Sequence, residues 1–404
     1  MIVTGIIAEY NPFHNGHAYQ IRQARQITKA DYIVVVMSGD YVQRGTPAIL
    51  EKHHRARMAL LHGADLVLEL PVRFSTASAR DFAGGAAAIL HDLGVVNHLC
   101  FGSEHGEITP FLRIARLLEH EPTIFKETIK NELKKGASYP AAHQKALLVS
   151  SRQLELFDDR EDFPFDDFLE GPNNTLGIEY VRALKALNSP ITPCTVARTS
   201  NNYHSIETDS CYASATAIRH LMFHKAPENL CGLVPEDLIP VLTKAQREDS
   251  LITEDDYSLV LKYVLMQSTP QRLADYLDFP ISLANRAANT IQDFYSFSQF
   301  ADMLKTRDIT RVRINRALLH AVLQLEQTAP PPSFIRMLGF RKEAGELLKA
   351  IKNSSSRIVI GKLADAPLET YREDLFASNL YHSVLAMKAG KAAPDERSIP
   401  LVII

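Results

Sequence analysis

Short apolar runs alternate with amphipathic stretches along the first 200 residues of the chain. The apolar runs are rich in β-branched residues, which is typical of buried strands, and the stretches between them have helical periodicity. This order predicts a parallel sheet with right-handed crossovers. The predicted strands are Ile2–Ala8, Tyr32–Met37, Ala64–Leu70, Val95–Phe101 and Ile191–Arg198. The predicted helices are residues 15–29, 51–62, 76–93, 107–151 and 174–187, with a further helix from Ser214 and an acidic loop at 158–170.

Further along the chain, the pattern changes from alternating strands and helices to helices alone. Prolines and a glycine cluster at residues 227–240, which is typical of a domain boundary. Residues 240–350 have helical periodicity, whereas residues 357–404 show no clear pattern. We therefore expect an α/β fold with a doubly wound, five-stranded parallel sheet of the Rossmann-like kind in residues 1–226. A mainly helical region is expected in residues 227–404.

The composition is that of a globular protein, with 46% hydrophobic and 23% charged residues in 404. No apolar run approaches the roughly 20 residues that a membrane-spanning helix needs, and the first residues do not resemble a signal peptide. We therefore expect no membrane contact and a cytoplasmic location. The four cysteines have no zinc-ligand spacing, so no metal site is predicted from them. A formal net charge of −3 requires any RNA contact to come from a local basic face.

The segment His14-Asn15-Gly16-His17 follows the first predicted strand and opens the first predicted helix. A helix N-terminus offers free N–H groups and a partial positive charge, and a glycine lets a phosphate approach the main chain. Histidines three residues apart lie on one side of such a turn. They are structural histidines, half of a metal site, or a phosphate clamp. Their position favours a clamp that stabilises charge at a phosphate under attack.

Residues Ser214–Arg219 form a second pattern of this kind, after the fifth predicted strand. Ser214, Thr216 and Arg219 place two hydroxyls and a guanidinium at the start of a helix, which suits a second phosphate contact. The alternative is a serine N-cap beside a solvated arginine. Because loops at the carboxyl ends of parallel strands meet at one edge, we expect both patterns to face one crevice. Both histidines and Arg219 are then the candidate catalytic residues.

These patterns resemble the H-x-G-H and I-S-x-T-x-x-R signatures of the HIGH-type nucleotidyltransferase superfamily. Within it, the chain is most similar to the bacterial tRNA-Met cytidine acetate ligase family. The resemblance covers residues 1–320. It is carried by the segments GIIAEYNPFHNGH (5–17), MSGDYVQRG (37–45), FGSE (101–104), PNNTLGIEY (172–180) and SATAIR (214–219).

The resemblance implies an ATP-dependent ligase. Enzymes of that family activate acetate as acetyl-adenylate, release pyrophosphate and transfer the acetyl group to N4 of the wobble cytidine of elongator tRNA-Met. Adenylation gives the carboxylate a leaving group, and the weakly basic cytidine amine needs an activated acyl group held in line. The implied substrates are ATP, acetate and elongator tRNA-Met, and Mg²⁺ is expected beside the nucleotide phosphates.

The resemblance also implies which residues contact the nucleotide. They are a loop after the first strand, a glycine, one asparagine of an adjacent pair and an arginine. Taken alone, these have ordinary alternatives: a turn glycine, a helix cap and a surface charge. On this chain the implied contacts are Ile7, Ala8, Glu9, Tyr10, Asn11, Pro12, Phe13, His14, Asn15, Gly16, His17, Ala18, Tyr19 and Gln20, then Gly102, Asn173 or Asn174, and Arg198.

Residues 38–45 follow the second predicted strand, so they overhang the same edge of the sheet. The segment is polar and flanked by glycines, which indicates either a loop that closes over acetate or phosphate or a solvated connection. We expect Asp40 to hold a water bound to Mg²⁺, which commonly bridges protein carboxylates and nucleotide phosphates. The candidate substrate contacts of this loop are Ser38, Asp40, Gln43 and Arg44.

A basic segment at residues 305–316 is the candidate contact for tRNA. On a helix Arg313, Arg316 and His320 share a face that suits an RNA backbone, and the alternative is a solvated helix face. A second basic cluster, residues 52–57, is expected near the crevice. The candidate tRNA-binding residues are Lys305, Arg307, Arg311, Arg313 and Arg316.

Two other functions stay open at this point. A small-molecule adenylyltransferase has the same kind of fold, but it can be much shorter and needs no basic helix. A non-catalytic nucleotide-binding or RNA-binding adaptor has no chemical need for His14, Gly16, His17 and Arg219.

Overall fold

A computed structural model describes residues 1–154, 164–198, 213–363 and 366–404. The five predicted strands and the helices between them are confirmed, with small shifts at their ends. The strands are β1 Val3–Ala8, β2 Tyr32–Ser38, β3 Tyr41–Val42, β4 Thr46–Pro47, β5 Leu66–Leu70, β6 His98–Ser103, β7 Thr192–Ala197, β8 Ile335–Phe340, β9 Val359–Ile360 and β10 Val402–Ile403.

Helices account for most of the remaining described chain. Those of the first half are α1 Asn15–Thr28, α2 Lys52–Leu61, α3 Val72–Ser75, α4 Ala79–Asp92, α5 Thr109–Glu119, α6 Thr123–Lys134, α7 Tyr139–Gln153, α8 Phe165–Glu170, α9 Pro172–Ala186 and α10 Ala215–His224. Those of the second half are α11 Ile239–Arg247, α12 Ser258–Gln267, α13 Pro270–Ala274, α14 Ile281–Thr290, α15 Phe297–Met303, α16 Arg311–Leu323, α17 Gly345–Ser354 and α18 Arg372–Ala389.

The parallel part of the main sheet has the spatial order β5-β2-β1-β6-β7. β1, β2, β5 and β6 are largely apolar and buried, since α4, α5 and α9 pack on one side and α1, α2 and α10 on the other, whereas β7 at the edge is mostly half-buried or exposed. The strand order reverses between β1 and β6. Loops that follow the strands on either side of such a switch point leave a crevice at the carboxyl edge. The fold therefore leaves a crevice at the edge where the sequence predicts the site.

The main sheet is larger than the five strands that we predict. β8 runs antiparallel to β5, and β9 and β10 both pair with β8 in parallel. The described chain thus forms a sheet of eight strands around the expected parallel core. The sequence gives no periodicity for β9 and β10 because each contains two residues.

Two other stretches differ from their prediction. The helical stretch 107–151 consists of three helices, α5 to α7, and prolines stand at or near the start of each. Within the predicted loop 158–170, residues 158–163 lie outside the described chain. Residues 165–170 form α8, so the loop prediction is wrong there. Asp166 and Asp167 lie in the first turn of α8, where negative charge is favourable.

The second half of the chain is mainly helical, as expected. Helices α12 to α16 and α18 pack around a core of their own, which includes Tyr257, Phe297 and Leu318. The domain boundary between residues 226 and 227 stays a prediction, and the tail returns to the sheet through β8, β9 and β10. Among the described helices, none has both the length and the apolar character that crossing a membrane requires.

Candidate active site

A cleft of ≈ 190 Å³ lies at the carboxyl ends of β1, β6 and β7. It brings together sequence patterns that are far apart in the chain. The predicted site residues that line it are Ile7, Ala8, Glu9, Tyr10, Asn11, His14, His17, Gln20, Gln43, Arg44, Gly102, Asn173, Arg198, Ser214, Thr216 and Arg219. A smaller adjoining cavity is lined by Gly16 and Tyr19.

His14 and His17 cap the first turn of α1. The Nδ1 of His14 accepts a hydrogen bond from the Gly16 N–H at 3.1 Å, and the Nδ1 of His17 accepts one from the His14 N–H at 3.3 Å. Each neutral ring carries one proton, so acceptance at Nδ1 places that proton on Nε2. The rings stack with centroids 3.7 Å apart. The structural role and the role as a phosphate clamp are therefore compatible, because the first uses the Nδ1 atoms and the second uses the Nε2–H groups.

Both histidines are uncharged at neutral pH. Burial lowers the pKa of His14 to about 3, and the positive charges of Arg198 and Arg219 add to this effect. Burial, His14 and Arg198 hold the pKa of His17 well below its ordinary value. The pair therefore offers two Nε2–H donors, and the neighbouring arginines supply the positive charge of the cleft.

Arg219 reaches from α10 to the loop that follows β1. Its Nη1 donates to the carbonyl oxygen of Asn11 at 2.7 Å, and its Nη2 donates to the Thr216 hydroxyl at 3.1 Å. Ser214 is the N-cap of α10, as one alternative predicts. Arg219 is half-buried and held against the first loop, so its guanidinium has a fixed position at the cleft.

The two adjacent asparagines have different environments. Asn173 lines the cleft, and its Oδ1 accepts from Arg198 at 3.3 Å. Asn174 is 1% exposed: its Oδ1 accepts from the Glu104 N–H at 3.1 Å, and its Nδ2 donates to the Phe168 carbonyl at 3.0 Å. Asn173 is therefore the candidate ligand contact, and Asn174, in the first turn of α9, joins the loop after β6 to α8.

Four residues of the first loop do not line the cleft, and their contact with the nucleotide stays a prediction. Phe13 and Ala18 belong to the core under α1. The side chain of Asn15 is directed to a different segment, since its Nδ2 donates to the Gly232 carbonyl at 2.7 Å. Pro12 is buried with its neighbours.

The predicted substrate loop divides in the same way. Gln43 and Arg44, in the hairpin of β3 and β4, line the cleft, whereas Ser38 is fully buried at the end of β2. Asp40 is also buried: its Oδ1 accepts from the Lys52 N–H at 2.9 Å, and its Oδ2 lies 3.5 Å from the Lys52 Nζ. The structure corrects the expectation that Asp40 holds a Mg²⁺-bound water, because Lys52 already neutralises this carboxylate away from the cleft.

An apolar wall of the cleft was not predicted. Phe101, Leu176 and Tyr180 belong to segments that the sequence analysis singles out, and Leu176 and Tyr180 lie one helical turn apart on α9. Residues at that spacing share one face of a helix, so the sequence does carry a signal for this part of the wall. Val42 also belongs to such a segment, 37–45, whereas Phe82 lies outside all of them. The apolar lining residues are Val42, Phe82, Phe101, Leu176 and Tyr180.

The basic segment 305–316 ends in α16, which contacts the hairpin of the cleft. Gly45, at the hairpin, has a φ of +73°, and a Cβ there would overlap the main chain of Arg316 in the second turn of α16. Lys305 and Arg307 are exposed, and Arg313 is half-buried. The structure thus brings the predicted tRNA-binding segment next to the loop that carries Gln43 and Arg44.

Two predicted members of this basic face have other partners. Arg311 is paired with Asp302 at 2.6 Å, and Arg316 is paired with Asp278 at 2.7 Å. His320 is fully buried. The expectation that Arg316 and His320 share an exposed face with Arg313 is therefore corrected: α16 buries that side against the helical core.

The fold and the cleft define a nucleotidyltransferase of the HIGH type. The family model described as HIGH Nucleotidyl Transferase matches residues 1–396, so the chain belongs to that family. Within it, the chain is 38% identical over 389 residues to the tRNA(Met) cytidine acetate ligase of Clostridium tetani, covering 94% of this chain and 95% of that relative. It is 33% identical over 414 residues to the ligase of the same description from Thermoanaerobacter sp. (strain X514), with full coverage of both.

Solved structures agree with these relatives. The chain matches Thermotoga maritima TmcAL bound with alpha-thio ATP at a TM-score of 0.89 and 30% identity, and the apo form at 0.90 and 31%, with full coverage of both chains in each case. The chain is a member of the tRNA(Met) cytidine acetate ligase family.

Proposed function

We propose that this chain is an ATP-dependent ligase that activates acetate as acetyl-adenylate and forms N4-acetylcytidine at the wobble position of elongator tRNA-Met. The observation that carries the proposal is the pair of neutral histidines with Nε2–H donors, set beside Arg198 and Arg219 at the carboxyl edge of the sheet. The relatives named tRNA(Met) cytidine acetate ligase and the alpha-thio ATP complex of the Thermotoga maritima protein support it.

In the first step, an acetate oxygen attacks the α-phosphorus of ATP. The new O–P bond replaces the bond to the bridging oxygen, and pyrophosphate leaves with the electrons of that bond. His14 and His17 donate their Nε2–H groups to phosphate oxygens, where negative charge develops, and Arg219 balances that charge. Asn173 and Gly102 are placed beside the nucleoside part of ATP. Neutral donors suit this task because they bind oxygens without titrating at neutral pH.

In the second step, the N4 amine of cytidine attacks the acetyl carbonyl. A C–N bond forms, the C–O bond to AMP breaks, and the amine loses a proton. Gln43 and Arg44 line the same cleft as the histidines and belong to a different segment, so we place acetate on their side. The reacting groups are thereby held together, which is the contribution that an acyl transfer of this kind needs most.

Mg²⁺ is proposed as the companion of the ATP phosphates, whose charge it neutralises when bound. Mg²⁺ needs one or two protein carboxylates besides phosphate and water oxygens. Of the cleft-lining residues that the structure describes, Glu9 is the one that carries a carboxylate. Its Oε1 accepts from the Gln43 N–H at 2.9 Å, which leaves the Oε2 as a candidate ligand atom. Glu9, and not Asp40, is therefore the carboxylate that we propose for binding Mg²⁺.

The tRNA contact is proposed for Lys305, Arg307 and Arg313, because Lys305 and Arg307 are exposed, Arg313 is half-buried, and α16 contacts the hairpin of the cleft at Gly45. Phosphates of an RNA whose cytidine enters the cleft would pass this surface. Since ATP and tRNA are the proposed substrates, we propose a cytoplasmic location.

Pyrophosphate release from ATP tests this function, with acetate and bulk tRNA omitted in turn. We expect release to require acetate, and sustained turnover to require tRNA. Release without acetate would favour a small-molecule adenylyltransferase, and no ATP consumption under any condition would favour a non-catalytic adaptor.

A further inference from the structure

One buried arginine joins the ends of the two strands that carry the cleft loops. Arg55 lies on α2 and is 0% exposed. Its Nη1 donates to the carbonyls of Glu9 at 2.7 Å and Ser38 at 3.1 Å, and its Nη2 donates to the carbonyl of Gly39. Its Nε donates to the Leu50 carbonyl at 2.8 Å. The guanidinium thus fixes the chain just after β1 and just after β2.

A guanidinium suits this place for geometric reasons. Its planar fork presents five N–H donors in fixed directions, so it can hold carbonyls that belong to different segments. An ammonium has three donors on one atom and cannot span the same points. Within the described chain, the hydrogen bonds of Arg55 go to main-chain oxygens, so the side chain orients backbone rather than balancing a single carboxylate.

The residues that Arg55 holds lead directly to the cleft. Glu9 lines the cleft, and its Oε1 accepts from the Gln43 N–H at 2.9 Å, so the position of Glu9 sets that of the hairpin. The next residue, Tyr10, has a φ of +49°, a strained conformation for an aromatic residue that its surroundings must maintain. Asn11 then accepts from Arg219 at 2.7 Å. Arg55 therefore supports both the first loop and the hairpin of β3 and β4, which line the cleft.

We infer that Arg55 is a positioning residue that sets the separation between the first loop and the hairpin with Gln43 and Arg44. This inference rests on the proposed function, in which acetate and the α-phosphate approach each other across that gap. A displacement of about 1 Å in such a site costs on the order of 10²-fold in rate. Loss of the anchor therefore lowers the reaction rate before it unfolds the chain.

The molecule contains a matched control at the opposite edge of the sheet. Arg25 donates to the carbonyls of Ala30 at 3.2 Å, Asp31 at 2.6 Å and Gly63 at 3.0 Å, and to the carboxylate of Asp65. It joins the segments that precede β2 and β5, at the amino edge. Arg25 thus joins main-chain carbonyls of two segments as Arg55 does, although it is partly exposed and also forms an ion pair with Asp65, and it lies at the other end of the strands from the cleft.

The test compares Arg55→Lys and Arg55→Gln with Arg25→Lys in pyrophosphate release and thermal melting. We expect kcat/KM for ATP to fall by about 10²-fold in the Arg55 variants, mainly through kcat, and by less than about twofold in Arg25→Lys. Amide hydrogen exchange in residues 41–47 should accelerate in the Arg55 variants alone, and this measurement does not depend on activity.

Several results would overturn the inference. These are folded Arg55 variants with kcat/KM within twofold of the wild type, an equal loss in Arg25→Lys, or unchanged exchange in residues 41–47. If neither Arg55 variant folds, Arg55 is required for folding, and the inference that it is a positioning residue is rejected. A wild-type protein without acetate-dependent release would instead contradict the proposed function, and the exchange comparison would still decide the role of Arg55.

Discussion

Two basic segments of this chain look alike in the sequence and lie in opposite environments. In residues 52–57, Lys52, His53 and Arg55 are buried. In residues 305–316, Lys305 and Arg307 are exposed. The first segment therefore places three of its five basic side chains in the interior of the protein, whereas the second places Lys305 and Arg307 at its surface. A run of basic residues does not by itself show whether the side chains are buried or exposed, because that depends on where their counter-charges lie.

The counter-charges of the first segment come from distant parts of the chain. The Lys52 Nζ lies 2.7 Å from Glu69 on β5, 3.1 Å from Glu396 in the tail and 3.5 Å from Asp40. Although burial lowers it, the pKa of Lys52 is raised overall by Glu396 and Glu69. Because Arg336 of β8 also contacts Glu69 and Glu396, this cluster forms only when the tail joins the sheet.

The largest expected effect is on stability, at Lys52. Lys52→Met removes the cation that three buried carboxylates share, and although Glu69 and Glu396 keep Arg336, Asp40 loses its partner, which should lower the free energy of unfolding by about 3–5 kcal/mol. Urea denaturation measures this value. Arg57→Met, on an exposed position of the same helix, is the control and should change it by less than about 0.5 kcal/mol. Equal effects at the two positions would remove the contrast between buried and exposed charges.

Substitution of an arginine that lines the cleft should change the kinetics with ATP and leave the stability of the protein unchanged. Arg219→Lys keeps the charge but cannot hold Asn11, Thr216 and a phosphate oxygen together, so the KM for ATP should rise about tenfold. Steady-state kinetics measure it, with Arg247→Lys at an exposed position as control. Unchanged kinetics in a folded Arg219→Lys protein would mean that the phosphate site lies elsewhere.

These cases show what the sequence can predict. The parallel strands and both phosphate-type patterns are local, so apolar runs and short motifs reveal them. The three strands of the tail and the partner of Asp40 depend on contacts between distant residues. Asn173 and Asn174 carry the same side chain on adjacent positions, and only the backbone direction decides which of them faces the cleft. The position of Phe82 in the apolar wall of the cleft cannot be predicted from the sequence for the same reason.

The exposed segment should affect RNA binding alone. Arg307→Glu combined with Arg313→Glu should weaken tRNA binding and flatten its log–log salt dependence by roughly one unit per lost phosphate contact, while acetyl-adenylate formation is kept. Filter binding over a salt series measures this. Lys349→Glu, an exposed position on α17, is the control. An unchanged salt slope in the double variant would exclude this surface.

The smallest effect is expected from pH. His14, with a pKa of about 3, and His17, which is also lowered, stay neutral as pH falls from 8 to 6. Since unfolded histidines bind protons below their ordinary pKa, these two residues favour unfolding progressively as the pH falls below that value. We expect kcat/KM for ATP to show no histidine ionisation between pH 6 and 8. An ionisation near neutral pH that disappears in His17→Ala would contradict the neutral pair.

The central claim is that the histidine cleft makes N4-acetylcytidine. Nucleoside mass spectrometry of bulk tRNA, incubated with the protein, ATP and acetate, tests it most directly. The account predicts N4-acetylcytidine that requires both ATP and acetate. It also predicts a loss of about 10²-fold or more in the rate for His17→Ala, with the fold checked by thermal melting. Absence of the product with the wild-type protein, or an unchanged rate in folded His17→Ala, would contradict the account.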